Sequence, residues 1–388
     1  MPRPPSDTHA APPERERTTG SNPDGGMNAL RPIELPPLPE NPLVSVLVAN
    51  YNYARFIGEA IQSVLDQTYG NFELVICDDG STDNSVEVIE SFARRDPRVR
   101  LVRQQNGGMA SALNTAYRES KGEIICLLDS DDRCLPEKLQ TVVVQFAESP
   151  QAGFLTHKLI RIDAEGRQGG VYPLLAGLPS GWYAPEVIRN AGETPKLPPC
   201  SGLCLRRQVT EAIFPIPATF RSGADAVVQA LASLSSLLVG VDTPLAEWRE
   251  HGANLTTTAS ITGKWIDREI QIQEQIWELQ KRYLHEVSPE LAHSLAPAGE
   301  RVHTQILTYL RARLAPGTPA LPAYRSMVAS GGLERMAMVN RYFWKISILL
   351  PSPVFWAGFR FVHGQGAVKR RVWELWAALR RTPRSVAY

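Results

Sequence analysis

The 388-residue sequence contains few cysteines, almost no net charge and no long apolar run. Its five cysteines offer neither an even set for a disulfide framework nor two close pairs for a zinc site, so we expect a reduced, cytoplasmic compartment. The 41 basic and 40 acidic side chains leave a net charge of +1, which provides no global field to attract nucleic acid. Because no stretch of 18 apolar residues is free of charge, we predict no transmembrane helix.

The first forty residues have the weakest apolar signal in the chain. They hold ten of the 31 prolines, and they lack the apolar core of a signal peptide. We therefore predict a disordered, proline-rich tail over residues 1–41, an α/β domain over 42–260 and a helical C-terminal extension over 261–388.

An apolar run over residues 124–128 predicts a buried strand. It ends in three carboxylates, those of Asp129, Asp131 and Asp132. Like charges so close together repel one another unless a cation lies among them, and oxygen-only ligands favour Mg²⁺ or Mn²⁺. The alternative interpretation is an acidic turn, in which an aspartate caps the helix that Pro136 begins.

Three further strand-like runs precede this one, and each is followed by a segment with helical apolar spacing. Strands and helices thus alternate four times within about 110 residues, which predicts an α/β fold with a mainly parallel sheet flanked by helices. The polar and acidic residues after the strands then meet at one sheet edge, where open α/β sheets bind ligands. The predicted strands are Leu43–Ala49, Phe72–Cys77, Val99–Val102 and Ile124–Leu128.

Four motifs in this region follow one another in a characteristic order: VSVLVANYN at 44–52, SVLDQTY at 63–69, FELVICDDGSTD at 72–83 and LDSDD at 128–132. In residues, order and spacing they resemble the family 2 glycosyltransferases, over roughly residues 42–255. The resemblance implies a GT-A fold, a nucleotide-sugar donor such as a UDP-sugar, and Mn²⁺ or Mg²⁺ as cofactor. It also implies inversion at the anomeric carbon and a role in cell-envelope polysaccharide or glycoconjugate synthesis.

The resemblance also implies roles for individual residues. Asp225 lies where the family has its catalytic base, with Ala224 in place of the usual Glu; Asp225 is alternatively the N-cap of its helix. Trp248–Asn254 resembles the R-x-H-x-x-N segment that closes over the donor diphosphate. The implied metal ligands are Asp129, Asp131 and Asp132. The residues implied to bind the nucleotide sugar are Ala49, Tyr51, Asn52, Asp78, Asp79, Asp129, Ser130, Asp131 and His251.

Two other functions stay open at this point. A sugar nucleotidyltransferase of related fold needs a glycine-rich, basic loop after the first strand, but residues 50–53 contain neither glycine nor charge. The phosphate-binding patterns G-x-G-x-x-G and G-x-x-x-x-G-K are also missing from the region of the first strand. A non-catalytic sugar- or partner-binding module fits poorly with an intact Asp129 and Asp131 pair together with Asp225. Donor hydrolysis in the presence of Mn²⁺ separates an enzyme from such a module.

The end of the chain lies beyond the resemblance and combines apolar, aromatic and basic residues. An aromatic and aliphatic stretch over residues 342–361 is followed by apolar positions at helical spacing from Val368 to Leu379, flanked by Lys and Arg. Tryptophan and basic residues beside an apolar face are typical of a helix in a membrane interface. This predicts peripheral contact with the inner membrane face and a carbohydrate or lipid-linked acceptor. The alternative is that the segment packs on the protein itself or on a second copy in a homo-oligomer.

Overall fold

The computed structural model describes residues 30–173, 177–251, 261–315, 317–336 and 338–363. Within these residues nine strands form one sheet. The strands are β1 Val44–Asn50, β2 Phe72–Asp78, β3 Val99–Arg103, β4 Ile124–Asp129, β5 Arg133–Cys134, β6 Ala152–Asp163, β7 Gln168–Tyr172, β8 Leu203–Arg206 and β9 Leu237–Glu250. Their order is β3-β2-β1-β4-β8-β6-β9-β5, and β7 pairs with β6 beside this path.

The helices of the same described ranges alternate with the first strands and then dominate the C-terminal part. They are α1 Ala54–Leu65, α2 Ser85–Ala93, α3 Met109–Glu119, α4 Lys138–Glu148, α5 Ala184–Arg189, α6 Arg207–Glu211, α7 Ala224–Ser235, α8 Gly263–Val287, α9 Pro289–Ser294, α10 Val302–Leu314, α11 Leu321–Ala329, α12 Met338–Ile346 and α13 Ser352–His363. The helices predicted after each of the first four strands are all present.

The first four predicted strands form the parallel half of the sheet. β1 pairs in parallel with β2 and β4, and β2 pairs in parallel with β3. Side chains along a strand alternate between its faces, so Leu47 enters one hydrophobic cluster while Val46 and Val48 enter another. Residues of α3 and α7 complete the first cluster, and residues of α1 and α4 complete the second. The predicted α/β class, with helices on both faces of the sheet, is confirmed.

The other half of the sheet is mixed. β8 runs antiparallel to both β4 and β6, whereas β6 and β9 are parallel. β9 runs from Leu237 to Glu250, which makes it the longest of these strands at 14 residues. It stays paired with β6 as far as Asp163 and Glu250, and Ala246 and Glu247 have a second neighbour in β5. This length brings Arg249 to the edge of the sheet where β4 ends.

The predicted disordered tail is wrong for its last twelve residues, 30–41. Leu30 is buried, the Ile33 N–H donates to the Ser235 carbonyl at 2.8 Å, and the Tyr69 hydroxyl donates to the Asn41 side chain at 2.7 Å. Leu35 and Leu38 pack against the two core clusters. Apolar residues spaced among prolines are therefore enough to hold an extended segment on the domain surface. Residues 1–29 lie outside the described part of the chain.

The C-terminal helices form a cluster of their own. Trp344, Phe355 and Phe359 are buried against Tyr309 of α10. For these aromatics of the stretch 342–361, the alternative of packing within the protein holds. No helix among the described residues is both long enough and apolar enough to cross a membrane. The predicted basic helix from Val368 to Leu379 lies outside the described residues.

Candidate functional site

The predicted donor-binding loops lie side by side at the carboxyl edge of the parallel strands. Asn50 at the end of β1 is opposite Asp78 at the end of β2, and Ala49 is opposite Asp129 at the end of β4. Because β1 separates β2 from β4, the Asp78 and Asp129 positions are two strand spacings apart, roughly 10 Å. Tyr51, in the loop after β1, is 45% exposed at this edge. The structure thus brings together the loops that the sequence predicts to bind the donor.

Asp78 and Asn52 hold the first two loops in shape. The Asp78 carboxylate accepts hydrogen bonds from the Asn50 amide at 2.8 Å, from the Ser81 N–H at 2.9 Å and from the Ser81 hydroxyl at 2.6 Å. Asn52 has a φ of +60°, and its side-chain oxygen accepts from the Thr82 N–H at 2.7 Å. These contacts are within the protein, so nucleotide binding by the two side chains stays a prediction.

Asp79 is buried and anchors the loop before α3. Its carboxylate accepts hydrogen bonds from the N–H groups of Gly107 and Gly108 at 2.8 and 2.7 Å, and from the Gln104 amide at 2.6 Å. Gly108 has a φ of +88°, and a Cβ atom there would lie 2.6 Å from the Arg221 Cα, so both the backbone and the space require glycine. A carboxylate offers about four acceptor positions, and these three donors occupy three of them. Contact of Asp79 with a nucleotide base stays a prediction.

The three carboxylates after β4 converge as the sequence predicts. One oxygen from each of Asp129, Asp131 and Asp132 lies within 4.8 Å of the others. Ligands of octahedral Mg²⁺ or Mn²⁺, at about 2.1 Å from the ion, lie roughly 3 to 4 Å from one another, so the cluster fits such a cation with small adjustments. The alternative in which an aspartate caps the next helix is wrong, because Glu137 occupies the N-cap of α4. Ser130, between these ligands, is buried.

The cluster carries more negative charge than the protein neutralises. Burial, and then the neighbouring Asp131 and Asp225, raise the pKa of Asp129 to about 8. Burial, with Asp131 and Asp129, likewise raises the pKa of Asp132 well above its usual range. Carboxyl groups in this state hold a proton in place of a cation, and a divalent ion would take over that role.

A turn that the sequence analysis did not single out, Cys200–Gly202, holds these carboxylates in place. The Ser201 hydroxyl accepts from the Asp129 N–H at 3.0 Å and donates to an Asp132 oxygen at 2.5 Å. The Cys200 thiol is a hydrogen-bond partner of Asp129. The buried ammonium of Lys138 donates to the Ser201 carbonyl at 2.9 Å, and this hydrogen bond holds the turn in place. Ser201 and Lys138 are polar residues buried beneath the acidic cluster, and nothing in the periodicity of the sequence indicates that they are buried.

Arg249 is a second residue that the sequence analysis passed over, although it stands in the R-x-H pattern. Its side chain is almost fully buried, and its backbone N–H donates to Asp132 at 2.7 Å. The guanidinium donates to the Asp131 carbonyl at 2.7 Å and forms an ion pair with Glu59 at 2.6 Å. Arg249 therefore braces the backbone of the acidic turn, while much of its charge is taken up by Glu59.

His251 lies against the outer side of the acidic cluster. Its Nε2 atom is 2.9 Å from an Asp131 oxygen, and its ring stacks on Phe56 with the centroids 5.0 Å apart. The side chain is 8% exposed, and its packing and its contact with Asp131 hold the imidazole beside this predicted metal ligand. The rest of the R-x-H-x-x-N segment, residues 252–254, lies outside the described residues.

Asp225 stands in the first turn of α7, close enough to Asp129 to raise its pKa. The N-cap alternative for Asp225 is wrong, because Gly223, with a φ of +73°, occupies that position. Burial raises the pKa of Asp225, and the N–H groups of Ala226, of Asp225 itself and of Cys200 oppose the rise. The Cys200 turn thus contacts both Asp225 and Asp129, and it links the predicted base to the predicted metal ligands.

Glu269 of α8 is a further carboxyl group near Asp225 and lies beyond the sequence resemblance. Burial raises its pKa, Arg268 lowers it, and Asp225 raises it. The helix that the sequence assigns to a separate extension therefore contributes a side chain to the surroundings of the predicted base. Nothing in the local sequence of α8 distinguishes this glutamate from its other charged residues.

The raised pKa of Asp129 predicts a pH-dependent affinity for metal. Since only ionised carboxylates bind a cation, we expect the affinity for Mn²⁺ to fall at least about tenfold for each pH unit below about 8, with release of a proton from Asp129 and a further proton from Asp132, whose pKa is raised as well. Calorimetric titration of the full chain with Mn²⁺, at two pH values and in two buffers of different ionisation enthalpy, measures both quantities. Equal affinity at both pH values without proton release would contradict the prediction.

The raised pKa of Asp129 also predicts how the stability of the metal-free protein depends on pH. A carboxyl group with a folded pKa of about 8, above the unfolded value near 3.9, destabilises the fold increasingly as the pH rises from about 4 to about 8. Adding Mn²⁺ is therefore expected to raise the melting temperature more at the upper end of this range than at the lower end.

Comparisons with known proteins bear on the same part of the chain. A family profile described as "Glycosyl transferase family 2" matches residues 45–210. An uncharacterized glycosyltransferase of Nostoc sp. is 37% identical over 219 residues, 54% of this chain and 66% of that protein. A chondroitin synthase of Pasteurella multocida is 43% identical over 117 residues, 30% of this chain and 12% of that protein.

Among solved structures, S. aureus TarS in complex with UDP-GlcNAc aligns with 78% of this chain and 91% of its own, at 17% identity and a TM-score of 0.47. The chain spans between about an eighth and about two thirds of the length of the two curated relatives, 12% and 66% respectively.

Proposed function

Residues 45–210 belong to the family 2 glycosyltransferases, and from this we propose that the protein transfers a sugar from a nucleotide-sugar donor to an acceptor hydroxyl. The observation that carries the proposal is the presence of two kinds of carboxylate at one sheet edge. Asp129 and Asp131 belong to a cluster suited to a divalent cation, at the end of strand β4. Asp225 lies near this cluster but belongs to helix α7. The reaction needs separate groups for these two tasks, one for the leaving diphosphate and one for the acceptor proton.

We place the nucleotide base over the loops that follow β1 and β2. Ala49 and the exposed Tyr51 offer a surface for the base, and in this placement the Asp79 carboxylate accepts a base N–H. The diphosphate then lies beside Asp131 and His251. Mn²⁺ or Mg²⁺, held by Asp129, Asp131 and Asp132, would supply Lewis-acid stabilisation of the leaving nucleoside diphosphate.

We assign the acceptor proton to Asp225. The acceptor oxygen bonds to the anomeric carbon of the donor sugar as its proton moves to the Asp225 carboxylate. The bond from that carbon to the phosphate oxygen breaks on the opposite side, so the configuration inverts. Burial raises the pKa of Asp225, which makes it a stronger base than an exposed aspartate.

The proposal extends to the biological setting. Local similarity to a chondroitin synthase supports a role in polysaccharide or glycoconjugate synthesis, with residues 42–260 as the catalytic domain. A lipid-linked acceptor, a homo-oligomer and membrane contact through the basic residues after 363 are further parts of the proposal. They depend on residues 261–388, to which the family match does not extend.

A donor panel tests the proposed activity. We expect the full chain, incubated with UDP-, GDP- and dTDP-sugars and Mn²⁺, to consume one donor and release its nucleoside diphosphate, as followed by mass spectrometry. EDTA should stop the reaction, because the acidic cluster needs its cation. If no donor is consumed, with or without added sugar acceptors, a non-catalytic binding module becomes the better interpretation.

A further inference from the structure

A polar cavity of about 310 Å³ opens between the loop before α7 and the exposed side of α8. Two arginines, Arg221 from the loop and Arg268 from the helix, provide its charge, and no carboxylate is among its lining residues. The remaining lining consists of hydroxyl and amide side chains and one apolar contact: Thr219, Ser222, Gln271, Ile272 and Gln275. A cavity with two cations and neutral hydrogen-bonding groups is suited to an anion that carries hydroxyl groups.

The two guanidinium groups are held by neutral partners. Arg221 donates to the Asn106 side chain, and Arg268 donates to the Ser222 hydroxyl. Within the described residues, neither arginine lies within ion-pair distance of a carboxylate. Arginine offers a rigid fork of N–H donors that matches a carboxylate or a phosphate. Arg268 also lowers the pKa of its neighbour Glu269, but neither guanidinium is bonded to a carboxylate of the described residues, so both can bind an anionic ligand.

The cavity adjoins the reaction site through two rigid connections. Ser222 lies three residues before Asp225, and Glu269, whose pKa Asp225 raises, follows Arg268 directly. On the other side, the Arg221 carbonyl accepts from the Met109 N–H at 3.0 Å, and the Arg221 backbone packs against Gly108. Gly108 is in turn held by Asp79. A ligand group bound here is thus positioned relative to both the base and the nucleotide loop.

We propose that this cavity is an acceptor subsite that binds an anionic group, a carboxylate or a phosphate, on the acceptor sugar. The inference rests on the proposed glycosyl transfer, and it adds the chemical class of the acceptor. Arg221 and Arg268 bind the anion, and the neighbouring hydroxyl of the same acceptor then reaches Asp225. The two cations also offset the repulsion that an anionic acceptor meets beside Asp225 and Glu269. The donor diphosphate has its own partners at the acidic cluster.

Matched glycosides provide the test. The probes are p-nitrophenyl β-glucoside, the β-glucuronide and the glucoside 6-phosphate, which differ only in the group on the sixth carbon. Dissociation constants from ligand-detected NMR titrations of the full chain need no turnover. We expect at least one of the two charged probes to bind about tenfold or more tightly than the neutral glucoside. The charged probe that binds more tightly identifies the preferred anion, carboxylate or phosphate. Arg221→Gln/Arg268→Gln should remove that preference.

Controls separate a specific site from a general charge effect. Arg282→Gln removes an exposed arginine from the same helix, about 21 Å further along its axis, and should keep the preference. Arg268→Lys should keep part of it, and a thermal melt of each variant reports its folding. Arg268→Gln alone, which removes an exposed side chain, replaces the double variant if that chain does not fold.

Three results would overturn the proposed subsite. The first is equal binding of charged and neutral probes by the unchanged protein, and the second is a preference for charged probes that survives in Arg268→Gln. The third is displacement of the charged probes by UDP at the same stoichiometry. The last result would assign the arginines to the donor. Failure of the donor panel, in contrast, would overturn the proposed transfer and leave the measured anion preference standing.

Discussion

Replacing Asp131 by Asn is expected to lower turnover by about 10³-fold or more and to remove the metal-dependent part of nucleotide binding. A cation that stabilises a leaving diphosphate contributes several kcal/mol, and 1.36 kcal/mol corresponds to about tenfold in rate. Asp131 belongs to the group of three carboxylates within 4.8 Å of one another, and loss of its charge removes a ligand. Calorimetric titration with UDP, with Mn²⁺ or with EDTA, measures the binding effect. If Mn²⁺-dependent UDP binding survives unchanged in this variant, the metal site must lie elsewhere.

Two matched variants distinguish this effect from others. Asp132→Asn is expected to lower the free energy of unfolding by about 1 to 3 kcal/mol, because Ser201 and the Arg249 N–H both donate to its carboxylate. Asp66→Asn changes an exposed aspartate at the end of α1, whose carboxylate accepts a hydrogen bond from Gln62, and should change neither turnover nor metal binding. A loss of turnover in all three variants would indicate a general charge effect.

Replacing Asp225 by Asn is expected to lower turnover by about 10²-fold or more while donor affinity stays within about twofold. A general base acts on the acceptor, so its loss affects the chemical step and leaves donor binding intact. The Asn side chain can still accept from the Cys200 and Ala226 N–H groups that contact Asp225, so the turn of α7 should keep its shape. Single-turnover kinetics with saturating donor, together with UDP titration, measure the two quantities.

Glu269→Gln is the control for this assignment, because Glu269 is a carboxyl group outside the acidic cluster whose pKa Asp225 raises. We expect a smaller loss of turnover from Glu269→Gln than from Asp225→Asn. An active Asp225→Asn variant combined with an inactive Glu269→Gln variant would transfer the role of base to the α8 glutamate. It would also show that the helix beyond residue 260 belongs to the catalytic unit.

The parallel half of the fold was predictable because its signals are local. The strands β1, β2 and β4 are short and mainly apolar runs, and each ends in a polar or acidic residue. Parallel strands in one sheet present their carboxyl ends at the same edge, so the sequence alone placed Asn50, Asp78 and Asp129 together. The mixed half has no such local signal, because β9 pairs with β6 and with β5, and β5 lies more than 100 residues earlier in the chain.

What the sequence by itself determined is therefore the set of carboxylates and the sheet edge that carries them. Only the tertiary structure decided what holds these groups: Ser201 bonds to Asp132 across 69 positions of the chain, and the Arg249 N–H does so across 117. Contacts between residues so far apart in the chain leave no periodicity in the sequence. The residues around each partner show only the pattern of their own helix, strand or loop. The same holds for the cavity of Arg221 and Arg268, which exists only because α8 packs against the loop before α7.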